Sequence, residues 1–438
     1  MKAAGFESSH QTRVVKELNM RYHALFAIIP LFGTAACGKI GDIVNPDSPD
    51  SDAQEKFQVI LNGGSGSGYY APGQTVTVWS GVSTQKEVVL PWSGDSLFLS
   101  NPVEWVTHFT MPKQDVVLQA NVKTQTLTLK VEKYTGSTKV EKDVRYFFPE
   151  NMKGLVFISH GTGGTSKIIE KPETFAIALA LVERGFGVLS TEAEEAVAGD
   201  LNGDGKTRWQ TGFTSANIDL KNLSMLVQGL ENRGLITAAT PKFALGMSNG
   251  GAFSHFLGAV SASSIAASFP KLKFNAVLGY CADATQIYKR NDTKTPSAWY
   301  MCAGEDNPEV SLSEAKENEA RVRSLGVPTE YKENKPTPLY DERFARVPGV
   351  SLESSKAMAE ELRAAGYVDD KGFLNKDADQ IALDIIAPEN ASRFPAFLAV
   401  PGDIAKSLKQ QLKAMRAEHA LYADLSQSNI AFFERFLP

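Results

Sequence analysis

The chain has 438 residues, 43% hydrophobic and 22% charged, with 35 Gly and 21 Pro. It can therefore bury at least one full-size core and is neither disordered nor collagen-like. With 45 Lys and Arg against 50 Asp and Glu, the net charge is -5; no basic field is available for gripping a phosphate backbone, so nucleic acid is not an expected partner. Three cysteines, Cys37, Cys281 and Cys302, are too few for a disulfide scaffold. No apolar run reaches the roughly 18 residues of a membrane-spanning helix.

Residues 1–36 read as a targeting segment. The apolar stretch ALFAIIPLFGTAA at 24–36 follows Arg21 and runs straight into Cys37, the length and polarity of a signal-peptide core. Ala35, Ala36 and Cys37 resemble the lipobox of bacterial lipoproteins, with Thr34 where that pattern usually has Leu. The resemblance implies lipidation at Cys37, a start at Met20 and, from Gly38, the outer membrane or periplasm of a Gram-negative cell; ordinary cleavage after Ala36 and a buried N-terminal helix are the alternatives. Residues 37–54, rich in Asp, Ser and Pro, predict a flexible tether.

From 55 to 122 short alternating runs such as VTVWSGV, EVVLPW and VVLQANV are divided by Gly-rich turns, which predicts a small antiparallel sandwich. The run NGGSGSGYYAPGQTVTVW and the later FTMPKQDVVLQANV resemble the internalin B-type repeat of bacterial surface proteins. The resemblance implies a spacer, or an attachment module for a cell surface or polymer. Trp79, Trp92 and Trp105 are expected in its core, a ligand platform being the alternative reading.

Over 123–438 strands alternate with amphipathic helices, the pattern of an open, doubly wound sheet with its loops gathered at one edge. TLTLKVEKY and DVRYFFP suggest an opening antiparallel pair, and GLVFISH a buried strand. A helix opens at Pro172 and stops at Gly185; another carries Ile218, Leu223, Leu226 and Leu230 on one face. Residues of about 333–402 form a helical insertion, expected as a cap over the site, with Ser351 capping one helix and Gly366 closing it.

The chemistry centres on Gly246-Met247-Ser248-Asn249-Gly250, set between an apolar strand and a helix. A nucleophilic serine there sits on a tight turn, and glycines two residues to either side let strand and helix approach. The loop His160-Gly161-Thr162-Gly163-Gly164 follows strand GLVFISH. It suits an oxyanion hole, because a tetrahedral intermediate needs N–H donors aimed in advance at its developing charge. Thr162 and Asn249 N–H are expected in that role, Gly163 being the alternative to Thr162 and His160 bracing the loop.

Of six histidines, His10 and His23 lie in the targeting segment, His108 in the β module and His160 before the serine. His255 is two helical turns past Ser248, about 10 Å away. That leaves His419, between two amphipathic helices, as general base. The orienting carboxylate is expected at Asp306, after strand SAWYMCAG, with Asp283 and Glu305 as rivals.

The order Ser248, Asp306, His419, together with GMSNGG and EHALYADL, resembles the α/β-hydrolase superfamily, most nearly its polyhydroxybutyrate depolymerase and feruloyl esterase relatives. The resemblance implies an α/β-hydrolase sheet, a serine carboxylic-ester hydrolase working through an acyl-enzyme, an ester substrate and no cofactor. Readings from other classes are a serine peptidase of the same fold and a non-catalytic surface adhesion lipoprotein. Asp200, Asn202 and Asp204 begin like a calcium loop, but position twelve is Thr211 rather than Glu; a polar turn carrying Trp209 towards substrate is the preferred reading over a metal site. Cys281 and Cys302 end neighbouring strands and are expected as two buried thiols, a disulfide being the alternative.

Overall fold

The computed structural model describes residues 55–81, 86–289, 292–304 and 310–438. Cys37 and the whole targeting and tether region fall outside them, as do Glu305 and Asp306. Among the described residues no helix is long and apolar enough to cross a membrane.

The N-terminal strands are β1 (Phe57–Asn62), β2 (Gly68–Tyr70), β3 (Thr75–Trp79), β4 (Glu87–Gly94), β5 (Val106–Thr110) and β6 (Val116–Thr124). They form a four-stranded sheet in the order β2-β1-β6-β4 and a β3-β5 pair. The sheet is not wholly antiparallel, since β1 and β6 run parallel. Alternation sends Val59, Leu61, Val76, Val78, Val116 and Leu118 into a small shared core. Trp79, Trp92 and Trp105 are all buried, so they are packing residues and form no exposed platform.

The main sheet contains β7 (Lys130–Thr135), β8 (Glu141–Phe147), β9 (Gly154–Ser159), β10 (Phe186–Ser190), β11 (Lys242–Met247), β12 (Ala276–Tyr280), β13 (Ser297–Cys302) and β14 (Thr329–Asn334). Its order is β14-β13-β12-β11-β9-β10-β8-β7. β7 and β8 pair antiparallel, as does β8 with β10; every other pair is parallel. β9, β10, β12 and β13 are buried along their whole length, as continuous apolar strands covered on both faces must be.

Helices α1 (Pro172–Glu183) and α8 (Ser426–Glu434) pack on one face. Helices α2 (Ile218–Asn232), α3 (Asn249–Val260) and α4 (Leu312–Ser324) pack on the other. Pro172 opens α1, and Gly185 past its end takes φ 88°, a conformation that favours glycine.

Between β14 and α8 lie α5 (Leu352–Ala364), α6 (Ala378–Ile386) and α7 (Gly402–Met415). Ser351 caps α5 by accepting from Ser354 N–H. These helices bury Phe344, Met358, Leu362, Phe394, Phe397 and Leu412 in a core of their own.

The β module is welded to the main sheet. Val88, Val89 and Trp105 belong to the core shared by α1 and α8, Gln427 Nε2 donates to Val89 O (3.3 Å), and Trp79 stacks on Tyr340 at 4.9 Å. The chain from Gln54 to Pro438 is one compact unit.

Candidate active site

β11 delivers Ser248 at the carboxyl edge of the sheet, and α3 begins at the next residue. Ser248 holds φ 56° and ψ −126°, a region that costs a non-glycine residue of the order of 1–3 kcal/mol and persists only where its surroundings impose it. Its N–H is fixed to Tyr280 O at 2.8 Å and its carbonyl to Ala252 N–H at 2.9 Å. A Cβ on Gly250 would lie 2.3 Å from Ser159 O and 2.4 Å from His160 O. Only glycine lets α3 start this close to β9, which is the physical content of the G-x-S-x-G spacing.

The loop after β9 passes directly over the serine: a Cβ on Gly161 would stand 3.4 Å from Ser248 Cβ. Gly163 N–H donates to Thr207 O at 2.8 Å and Gly164 N–H to Gly161 O at 3.0 Å. Gly163 is thereby committed elsewhere, which leaves Thr162 beside Ser248 and Asn249 on the wall of one cleft.

His160 is fully buried. Its Nδ1 lies 2.8 Å from Gly161 O and its Nε2 accepts Ala193 N–H at 3.1 Å. Burial pushes its pKa down to about 4, so it is a neutral brace for the loop. His255 is also buried, hydrogen-bonded to Tyr288 (2.9 Å) and stacked on Trp299. Burial lowers its pKa to about 3, and it faces away from the elbow's chemistry.

The cleft has a volume of about 710 Å³ and contains Ser248, Asn249, Thr162, Cys281 and Asp283. Its opposite wall is the stretch after β10, with Glu195, Lys206, Arg208, Gln210 and Thr211 among its residues. None of its described lining residues comes from 333–402. The apolar side chains of the insertion close on a core of their own.

The wall is held by side chains that accept backbone N–H groups. Asp219 takes Glu194 N–H (2.7 Å) and Gln210 N–H (2.8 Å), while Glu195 takes Arg208 N–H (3.1 Å). Asn249 clamps it to the elbow, its Oδ1 accepting Trp209 N–H at 2.8 Å and its Nδ2 donating to Trp209 O at 3.3 Å. Trp209 itself is only 4% exposed. Its ring stacks on Phe253 at 4.4 Å and its indole N–H donates to His160 O at 3.0 Å. The indole braces the oxyanion loop from beneath, and Trp209 is also one of the residues bordering the cleft.

The Asp200 turn is internally satisfied. Asp200 accepts N–H groups of Asn202, Gly203, Asp204 and Gly205; Asn202 accepts from Asp204 N–H; and Asp204 pairs with Arg208. Among the described residues no group of three or more His, Cys, Asp or Glu is placed to hold a metal ion.

Of the carboxylates considered, Asp283 lies in the cleft, but its two oxygens accept Thr285 N–H (2.8 Å) and Ser311 N–H (3.1 Å). Glu305 and Asp306 lie outside the described residues. His419 is half-buried in the loop between α7 and α8. That loop is tied to the strand ends behind the serine: Gly304 N–H donates to Ala417 O at 2.9 Å, and the thiols of Cys281 and Cys302 reach Ala420 O at 3.3 and 3.5 Å.

A second anchor of the His419 loop was not foreseen. Glu173 on α1 and Asp424 enclose the guanidinium groups of Arg343 and Arg346, with contacts of 2.6 to 3.7 Å and every member buried. Glu173 also accepts Ala423 N–H at 2.6 Å and Gln411 Nε2 at 3.0 Å, and Arg346 lies 4.1 Å over the Trp105 ring. The only trace in the sequence is Arg343-Phe344-Ala345-Arg346, whose i,i+3 spacing puts two cations on one face.

A mostly parallel sheet with helices on both faces, an antiparallel pair at one edge and a strained serine between a central strand and its helix defines the α/β-hydrolase class of fold. Neither a family model nor a curated protein matches the chain. Solved structures similar to it include brefeldin A esterase, described as a bacterial homologue of human hormone-sensitive lipase (12% identity, TM-score 0.32, 47% of this chain and 68% of that one). Others are an α/β serine hydrolase homologue from Coxiella burnetii (14%, 0.32, 47% and 87%) and TT1662 from Thermus thermophilus (12%, 0.36, 71% and 99%). These similarities are too remote to assign an activity.

Proposed function

We propose that the protein is an exported serine hydrolase that cleaves carboxylic esters, anchored to a bacterial membrane through lipid on Cys37. The observation that carries the reading is Ser248 itself, held at φ 56° on a turn where Gly246 and Gly250 leave no room for a Cβ, at the open edge of the sheet. Strain of this kind is retained where a nucleophile must be presented. In this mechanism Ser248 Oγ attacks the ester carbonyl while His419 takes its proton. Thr162 and Asn249 N–H receive the oxyanion, and His419 returns the proton to the departing alcohol. Water, deprotonated by the same imidazole, then releases the acid. Asp306 is the orienting carboxylate in preference to Asp283, because it follows β13, the position from which this fold presents its acid to the base.

The wall argues for the substrate class. A cleft bordered by Lys206, Arg208, Gln210 and Thr211 favours small polar or sugar-linked esters over long acyl chains, which need a continuous apolar channel. The test is hydrolysis of p-nitrophenyl esters from acetate to palmitate by the full chain and by Ser248→Ala. The expected result is an optimum at acetate or butyrate and a loss of about 10³-fold or more in kcat for the variant. Equal rates for the two proteins, both folded by circular dichroism, would overturn the proposal; an optimum at palmitate would overturn the substrate class alone.

A further inference from the structure

Cys281 and Cys302 are two thiols, each 0% exposed, with their sulfurs 3.0 Å apart. Neighbouring parallel strands are poor partners for a disulfide when both cysteines keep the strand conformation, and here one does not. Register sets Tyr280 opposite Tyr300. Alternation then sends Tyr300 and Cys302 to the α1 and α8 face, while Trp299 and Met301 go to the other. A regular strand would turn Cys281 away from Tyr280, yet it lies in the same core as Tyr280, Tyr300 and Cys302. The reason is its backbone: Cys281 stands at φ 46°, one residue past the end of β12. This left-handed step, costly for a side chain with a Cβ, brings its sulfur alongside that of Cys302.

We propose that Cys281 and Cys302 are a dithiol–disulfide pair, closed to a disulfide when the chain folds in an oxidising compartment. Closure needs the sulfurs to approach by only about 1 Å. The step is exchange with a disulfide oxidant: the Cys281 thiolate attacks one sulfur of the oxidant and expels the first thiolate. The Cys302 thiolate then attacks Cys281 Sγ and expels the second. The pair loses two electrons and two protons, and the oxidant leaves as two thiols. Because both side chains are covered in the folded protein, the reaction belongs to the folding chain.

The bond would join Cys281, on the cleft wall one residue past β12, to the end of β13, which leads through Gly304 to the residues carrying Asp306. Both sulfurs also lie against Ala420 O, the residue after His419. The disulfide therefore braces the strand ends against which the candidate base is set. Its setting rests on the export reading, whereas its existence does not depend on esterase activity.

The test takes the full chain, secreted into an oxidising periplasm or refolded with oxidised glutathione. A non-reduced digest read by mass spectrometry is expected to contain one linked peptide pair holding Cys281 and Cys302, lost on treatment with dithiothreitol. Reduction is expected to lower the unfolding midpoint by roughly 5 °C in the wild type and to leave Cys302→Ala unmoved. Recovery of both cysteines as alkylated thiols from the oxidised sample, or either one linked to Cys37, would overturn the proposal. The digest decides even if Cys302→Ala does not fold, and it decides equally for a protein inert towards every ester.

Discussion

Two stretches leave the carboxyl ends of parallel strands in this sheet and meet opposite fates. Residues 191–217, after β10, carry few apolar side chains and are held by Asp219, Glu195 and Asn249 accepting or bridging their backbone groups. They become the wall of the cleft. Residues 335–415, after β14, bury an apolar core of their own and a closed group of two arginines and two carboxylates. They become a buttress built on that core. A segment tied down by its backbone keeps its side chains for a ligand, whereas a segment that must hide apolar surface spends them on packing.

The contrast breaks most visibly at the buttress. Arg346→Ala leaves the carboxylates of Glu173 and Asp424 buried with one guanidinium fewer, and is expected to cost about 3–5 kcal/mol in denaturant unfolding. Activity should fall with it, since Glu173 holds Ala423, four residues from His419. A loss below about 1 kcal/mol would mean that the charges are solvated in solution.

Next in size is a pH effect where the β module meets α8. Burial pushes Glu104 up to about 7, against hydrogen bonding to Ser428 and the charge of Lys332 that pull it down. A carboxyl whose pKa is raised by folding contributes stability that is complete below its unfolded value, near 4.5, and is lost as the pH rises through about 7. Glu104→Gln should therefore flatten the stability profile between those limits by roughly 2–3 kcal/mol. An unchanged profile in urea titrations at pH 4.5 and pH 8 would remove Glu104 as its source.

On the wall the effects should appear in catalysis before stability. Asn249→Ala keeps the backbone N–H assigned to the oxyanion but cuts the clamp on Trp209, so kcat/KM should drop roughly tenfold while unfolding shifts by about 1–2 kcal/mol. Smallest of all, Leu383→Lys and Ile386→Lys on the exposed side of α6 should stay within about 0.5 kcal/mol in either direction. A larger loss there would indicate that this face is covered in solution.

Much of the architecture was legible before any coordinates. Continuous apolar runs marked β9, β10, β12 and β13. Pro172 and Gly185 bracketed α1, and the glycines around Ser248 marked a turn that no bulkier sequence could make. His160 and His255, set aside by counting histidines, are both buried and committed to other partners. Less legible was the insertion: amphipathic periodicity announces an apolar face but not the surface it will meet, here a separate core around Phe344, Leu362 and Phe394. The bracing role of Trp209 was equally hidden, since the stack on Phe253 and the hydrogen bond to His160 O join residues far apart in the chain.

By itself the sequence determined the elements, their alternation, the elbow and the shortlist of acids and bases, because periodicity, glycine placement and residue chemistry are local properties. Only the tertiary structure decided which wall borders the cleft, that Asp283 is committed to backbone N–H groups, that the β module shares a core with α1 and α8, and that Cys281 turns towards Cys302. Each of these depends on groups far apart in the chain meeting in a packed interior, where the partner a side chain finds is set by the fold's geometry and not by its neighbours in sequence.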